Sequence, residues 1–405
     1  MSEPETPLPL SNETLASRGA RVFVPNYRQL PIALAGGEGA RVVDVEGNRY
    51  IDLAAGIAVS SLGYGHPRLI QAVQEQAGKL FHASNIVWNE PAVRAAEQLV
   101  EHSFGEKVFF CNSGAEANEA MLKLARKVFH DRGEGRFEII ATERSFHGRT
   151  MATVTCTGQE KYRVGFEPLL PGVRHVPYGD LGALEAAITE RTAAVLIEPI
   201  QGEGGVCVPP PGYLRGVREL CSKHGCLLLL DEVQSGVGRT GAMWAYEHEG
   251  IEPDVMSAAK GIAGGLPLGA MVTTSELAEH LGAGSHGSTY GGNPVACAAA
   301  AVVLEEVSQP AFLARVKELG EHLLARLGAL QRAHKRIATE VRGRGLWAGL
   351  ELNVDGSKLP RRGLQKGLLV NLIGGKTIRV APPLVIDQET LDQGLDLLDE
   401  LLKEL

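Results

Sequence analysis

The sequence predicts an α/β fold, a mainly parallel central sheet flanked by helices with a smaller α+β domain beside it. Three observations carry that expectation. Short, continuously apolar runs at 107–111 (KVFFC), 136–140 (RFEII), 193–197 (AAVLI), 226–230 (CLLLL) and 255–259 (VMSAA) alternate with helical stretches. Strands apolar on both faces belong in a parallel sheet covered by helices on each side. Past residue 300 the pattern changes to a long amphipathic helix, several strand-like segments and a closing helix. The unusual polar residues gather where the apolar runs end: 112–114, 143–149, Glu198, Asp231 with Glu232, and Lys260. In a parallel sheet the carboxyl ends of the strands are where ligands bind.

Taken in order, residues 1–20 read as a loose arm, with no basic stretch followed by an apolar core that would mark a signal peptide. ARVVDVEGNRYIDLAAG, from Ala40, reads as two short strands around Glu46, Gly47 and Asn48, with Asp44 and Asp52 at their ends. Leu69, Val73, Ala77 and Leu80 form one helical stripe; Asn89 and Pro91 open the next helix, which carries Val93, Leu99 and Val100. The later helix carries Leu313, Val316, Leu323, Leu327 and Leu330. RGLWAGLEL, GLLVNLIGG and TIRVAPPLVI follow as strands, and Asp387 caps a last helix bearing Leu391, Leu395, Leu398 and Leu402. The expected division is an N-terminal segment, 1–65, that contributes to the small domain, a large domain, 66–300, and a C-terminal small domain, 301–405.

A chain of 405 residues can bury a sizeable core, and its 49 glycines suggest many tight turns and close backbone approaches. A net charge of -8 argues against a nucleic-acid surface, and no run of 18 or more apolar residues suggests a membrane span. The expected partner is a small molecule and the expected compartment the cytosol. Six cysteines lack metal or disulfide-framework spacing and read as buried thiols.

Lys260 is the only charged residue between Asp254 and Glu276. An ammonium among Ala, Gly, Val and Met is costly to bury, and desolvation would make it a nucleophile near neutral pH; the alternative is a lysine that snorkels to the surface. Asn112, Ser113, Gly114, Ala115 and Glu116 follow a strand and open a helix with capping-box spacing, so their N–H groups suit a phosphate or simply cap the helix. Asp231 ends the most apolar strand, where a carboxylate requires a cation, a ligand or a helix N-terminus. If phosphate site and lysine together hold pyridoxal phosphate, Lys260 forms the Schiff base and Asp231 meets the pyridine nitrogen. Arg149 and Arg379 lie in otherwise uncharged text, as carboxylate-binding forks or structural ion pairs would. Phe146 suits either a stacked ring or the core. The stretch 236–241, GVGRTG, matches a dinucleotide fingerprint, but DEVQS separates it from its strand and no helix pattern follows, which disfavours a dehydrogenase.

The segments YIDLAAGIAVSSLGYGHP, FFCNSGAEANEA, SFHGRT, EPIQGEGG, LLLLDEVQSGVGRTG, AAKGIAGGLPLGA, GSHGSTYGGNPVACA and IRVAPPL resemble those of class III pyridoxal-phosphate aminotransferases of fold type I, from about residue 20 to the C-terminus. The resemblance is strongest to members that act on N-acetylornithine with 2-oxoglutarate. It implies that Lys260 carries pyridoxal 5'-phosphate. Ser113, Gly114 and Ala115 would lie at its phosphate, and Phe146 and Val233 on the two ring faces. Asp231 would pair with the ring nitrogen, next to Glu232, with Gln234 at the ring hydroxyl. Thr289 would reach the phosphate of the neighbouring subunit, making a homodimer, and Ser288 would touch substrate. Arg149 would bind the acetylornithine carboxylate and Arg379 the glutamate α-carboxylate. Glu198 would pair with Arg379 until glutamate enters. The family's N-terminal Y-x-R pattern is altered here, since Arg28 adjoins Tyr27.

Overall fold

Residues 10–405 are described by a computed structural model. The first nine residues of the expected loose arm lie outside the described part. Most of the remainder of that arm is a helix, Asn12–Val22, whose start is capped by the Ser11 side chain accepting from Thr14 N–H. A polar helix with few buried residues gives no apolar stripe for sequence patterning to detect.

Three short strands follow: β1 (Leu34–Glu38), β2 (Arg41–Asp44) and β3 (Arg49–Asp52), a meander as expected around Gly47. Asp44 fixes that turn. Its carboxylate accepts from Glu46 N–H, Asn48 N–H, the Asn12 and Asn48 amides and Tyr50 Oη, and this set holds its pKa below the usual range against burial.

The central sheet has seven strands: β4 (Lys107–Cys111), β5 (Glu138–Thr142), β6 (Val173–Val176), β7 (Thr192–Ile197), β8 (Leu227–Asp231), β9 (Val255–Ala258) and β10 (Gly269–Thr273). Their order is β4-β10-β9-β8-β7-β5-β6. β6, β5, β7, β8 and β9 are parallel, and β10 runs antiparallel to both β9 and β4. β4 therefore points the same way as the parallel strands, so the ends of β4, β5, β7, β8 and β9 share one rim. β5 begins two residues later than its sequence pattern suggests, because Arg136 instead donates to the carbonyls of His224 and Gly225. β6 and β10 escape a sequence reading for different reasons. VRHV is an edge strand with charge in it, whereas GAMVT sits inside a longer apolar stretch without punctuation.

Helices cover both faces. Gly114–Asp131 packs across β9 and β10, and Pro294–Val307 packs against the helices Pro67–Ala77 and Glu90–Glu101. Leu80, expected on the first of these stripes, lies beyond the helix end at Ala77 and is exposed. Two further sheets complete the fold. β13 (Leu368–Leu369) joins β3 in parallel, after β11 (Ala338–Gly343) and β12 (Ala348–Leu352) have begun the sheet β11-β12-β15-β14, completed by β14 (Asn371–Ile373) and β15 (Thr377–Val380). A second core forms where Leu323, Leu327, Leu391, Leu395 and Leu398 of the long and closing helices meet Ile51, Leu350 and Ile378. No single helix among the described residues is long and apolar enough to cross a membrane.

Candidate active site

The rim encloses a cavity of about 380 Å³, lined among others by Asn112, Ser113, Gly114, Ala115, Asn118, Phe146, His147, Arg149, Glu198, Asp231, Val233, Gln234 and Lys260. One wall is the start of the helix Gly114–Asp131. Ser113 Oγ accepts from Glu116 N–H at 3.2 Å, the expected cap, while the Glu116 carboxylate accepts from Asn112 N–H at 3.0 Å, one residue before the position a full capping box would use. Gly114 and Ala115 line the cavity at the positive end of this helix, where the first-turn N–H groups have no partner a helix can supply. Gly114 is required by packing: a Cβ there would stand 2.7 Å from Val233 Cγ1.

Asp231, at the end of β8, is 4% exposed and heavily oriented. Its Oδ2 accepts from the Asn118 amide at 2.7 Å and from His147 Nδ1 at 2.8 Å, and its Oδ1 from Val233 N–H at 3.1 Å. Asn118 is itself fixed by donating to His147 O and accepting from Ser257 Oγ. Sequence reasoning missed Asn118 and His147 as site residues; their signal was present, a polar side chain one helical turn past the cap and the centre of SFHGR.

Lys260 follows β9 and opens a single 3₁₀ turn with φ of 45°, a left-handed conformation unusual for a side-chain-bearing residue and often kept at functional sites. Burial lowers its pKa, opposed by the negative charges of Asp231, Glu203 and Glu198. The half-buried lysine lines the cavity.

The structure gives Arg379 a different carboxylate from the one the resemblance implied. Glu198 does not meet Arg379. It is buried, Oε1 accepting from Phe146 N–H and Oε2 from Gly202 N–H, both at 2.9 Å, and burial pushes its carboxyl up to about 7, against the pull of His147 and with the push of Asp231. Glu203 pairs with Arg379 instead, Oε1 to Nη1 at 2.5 Å. The reason is local: Gln201 and Cys207 exchange backbone hydrogen bonds, closing a loop that projects Glu203 away from the end of β7. Arg379 also donates to Gln234 Oε1 at 2.9 Å and from Nε to Asn371 Oδ1 at 3.0 Å. Gln234 thus links Arg379 to the cavity.

Glu232 is a second correction. Placed by the resemblance among the cofactor residues, it is fully buried away from the cavity, accepting from Ser235 Oγ at 2.5 Å and Tyr246 N–H at 2.9 Å, with its pKa raised to about 7 by burial. The chain leaves β8 in a turn, so that Asp231, Val233 and Gln234 line the cavity while the Glu232 carboxylate is taken up by Ser235 and Tyr246.

Arg149 lines the cavity, its guanidinium 4.1 Å from the Tyr162 ring centroid and 5.3 Å from that of Phe146, and no carboxylate among the described residues lies within ion-pair distance of it. Ser288 and Thr289 are not brought to this cavity within one chain. They line a larger one of about 1080 Å³ beside Trp88 and Phe110, with Ser288 Oγ accepting from Asn112 Nδ2 at 3.1 Å. Tyr27 and Arg28 are exposed and line neither cavity. The GVGRTG stretch forms turns, and its buried Arg239 donates to Leu346 O and Pro382 O, leaving no helix start for a dinucleotide.

A capped helix start beside an oriented aspartate and a desolvated lysine is the arrangement that holds pyridoxal phosphate, and the chain belongs to the class-III aminotransferases: the family's sequence pattern, Aminotransferase class-III, matches residues 22–402. More particularly, it is 50% identical to the acetylornithine aminotransferase of Myxococcus xanthus, across 94% of this chain and 96% of that one. It is 47% identical to a Pseudomonas aeruginosa protein named succinylornithine transaminase/acetylornithine aminotransferase, over 95% and 96% of the two chains. The crystal structure of Toxoplasma gondii ornithine aminotransferase superposes with a TM-score of 0.93 at 32% identity, covering 98% of this chain and 96% of that chain.

Proposed function

We infer that this protein transfers the terminal amino group of N-acetylornithine to 2-oxoglutarate, giving N-acetylglutamate 5-semialdehyde and glutamate, a step of arginine biosynthesis. The observation that carries the reading is the unequal state of two arginines around one lysine. Arg379 is neutralised by Glu203, whereas Arg149 presents a guanidinium with no carboxylate partner among the described residues. An amine donor with one carboxylate, carried far from its reacting amine, can use Arg149 and leave the Arg379 pair closed. Glutamate and 2-oxoglutarate carry a second carboxylate next to the reacting carbon, and that group suits Arg379 once Glu203 gives way.

Pyridoxal phosphate, when bound, supplies an electron sink that lets a proton leave the carbon bearing the amine. The first-turn N–H groups of Gly114 and Ala115 would hold its phosphate, and Phe146 and Val233 would flank its ring. Asp231, kept in place by Asn118 and His147, would face its nitrogen as the matching charge. Lys260 would hold it covalently, then serve as the base that moves a proton at the substrate's amine-bearing carbon, a task eased by its lowered pKa.

The working unit is a homodimer in this reading. Phe81, Ile86, Trp88 and Tyr290 are 69%, 91%, 93% and 61% exposed, more apolar surface than a monomer keeps bare. Thr289 lies on the same face, where it would complete the neighbouring subunit's phosphate site. The cytosol suits an enzyme whose six cysteines are all free. The shared name of the Pseudomonas aeruginosa relative favours a second substrate, succinylornithine, at the same site.

The test is the visible spectrum of the cofactor-loaded protein before and after adding N-acetylornithine with no oxo acid present. Bleaching of the yellow lysine-bound cofactor supports the assignment. Persistence with N-acetylornithine but bleaching with another ω-amine moves the substrate, and a cofactor-saturated protein with no yellow band removes the role of Lys260.

A further inference from the structure

The Glu203 loop is anchored at a second point to the sheet that carries Arg379. Arg342, on β11, donates from Nε to the carbonyl of Gly205 at 2.7 Å. Its Nη2 donates to Glu351 Oε2 on β12 at 2.6 Å, and Thr377 Oγ1 on β15 donates to the same carboxylate oxygen at 2.6 Å. Nη1 reaches Glu340 at 2.8 Å. The guanidinium is therefore held from three strands of the small sheet and aimed at one backbone carbonyl across the gap. Gly205 is shaped for this approach: its φ is 110°, and a Cβ there would stand 2.7 Å from Arg342 Nη2 and 3.0 Å from Thr377 Oγ1. From the other side Arg144 donates to the Gly204 carbonyl at 2.6 Å.

We propose that Arg342 is a positioning residue that latches the backbone of the Glu203 loop to the sheet of β15, so that exchange of Glu203 for a substrate carboxylate on Arg379 is a side-chain rotation and not a loop opening. The proposal rests on the reading of Glu203 and Arg379 given above. The loop contains Gly202, Gly204 and Gly205, with Val206 at φ of 55°, and such a segment is entropically free unless pinned. Pinned at Gly204 and Gly205, it keeps the Glu203 carboxylate at a high effective concentration next to Arg379 in the amine half-reaction. Thr377, which shares the Glu351 carboxylate with Arg342, lies two positions before Arg379 on β15, so the latch and the ion pair are fixed to the same strand.

Loosening the latch should favour the dicarboxylate over the ω-amine. In the cofactor-loaded enzyme, Arg342→Met is expected to raise the ratio of kcat/KM for glutamate to kcat/KM for N-acetylornithine by about five- to ten-fold, the net value of one typical hydrogen bond. The change should appear chiefly as a lower KM for glutamate, with kcat of that half-reaction within about two-fold. Arg342→Lys, which keeps the charge beside Glu340 and Glu351 but lacks the Nε–H aimed at Gly205, should move the ratio the same way and serves if the Met variant does not fold. Glu203→Gln should raise the ratio by itself, and adding Arg342→Met to it should change nothing more. An unchanged ratio in both Arg342 variants while Glu203→Gln shifts it overturns the latch. Equal losses in both half-reactions overturn it also, because they mark a general structural role. An unchanged ratio in Glu203→Gln overturns instead the reading of the ion pair.

Discussion

Single residues here are defined by what surrounds them. Glu232 is fully buried and Lys260 half-buried, both with pKa values shifted by desolvation, yet only Lys260 reaches the cavity. Lys260→Ala is expected to lower single-turnover transamination by at least about 10²-fold, the usual worth of positioned proton transfer, while a stopped-flow trace still reports amine binding. Glu232 predicts a pH effect on stability alone. Its carboxyl is raised in the folded state from 4.5 to about 7, so its protonated form is the one the fold favours. That stability is fully present below pH 4.5 and is lost as pH rises through about 7. Glu232→Gln should therefore gain on the parent enzyme between pH 5 and 8, by an amount on the order of 3 kcal/mol at most. Chemical denaturation of both proteins across that range checks it; a difference independent of pH would contradict the assignment.

At the level of elements, the rim is made of strand ends and one helix start. The helix Gly114–Asp131 is aimed by its own cap, Ser113 and Glu116, and by Gly114 fitting under Val233. Ser113→Ala removes the acceptor for Glu116 N–H and should cost about 1 kcal/mol of stability, together with faster cofactor loss on dialysis. Denaturant midpoints and retained absorbance measure the two effects; if dialysis leaves the cofactor in place, the helix start is not its phosphate site. The 198–207 loop shows how one element can mislead. EPIQGEGG places two glutamates five residues apart, both close to the chemistry, and nothing in the spelling says which one turns toward Arg379. The backbone bridge between Gln201 and Cys207 decides it.

Across the whole molecule, one chain leaves Thr289 and the apolar group around Trp88 outside its own active site. Under the proposed homodimer a second copy would cover them. If the proposed dimer forms, Trp88→Glu should convert it to a monomer in light scattering and lower activity in proportion, because each cavity would then lack the Thr289 proposed to come from the neighbour. A parent protein that is already monomeric at micromolar concentration would remove the dimer from the account.

The sequence by itself determined the strand-and-helix alternation and the rim, and its local spacing (apolar runs, a cap, a charge in apolar text) marked Lys260, Asp231, Ser113, Gly114, Arg149 and Arg379 as candidates. The roles assigned to Phe146 and the two arginines came from the family resemblance. Tertiary structure decided what local spacing does not encode. β10 inserts between β9 and β4 although it is far from β4 in the chain. Asn118 and His147 converge on Asp231 from two different elements. Glu203, not Glu198, closes on Arg379, and Glu232 turns from the cavity to Ser235 and Tyr246. The physical reason is common to all of these. A buried polar group must find a partner wherever the fold brings one, and that partner is set by the crossing of segments distant in sequence.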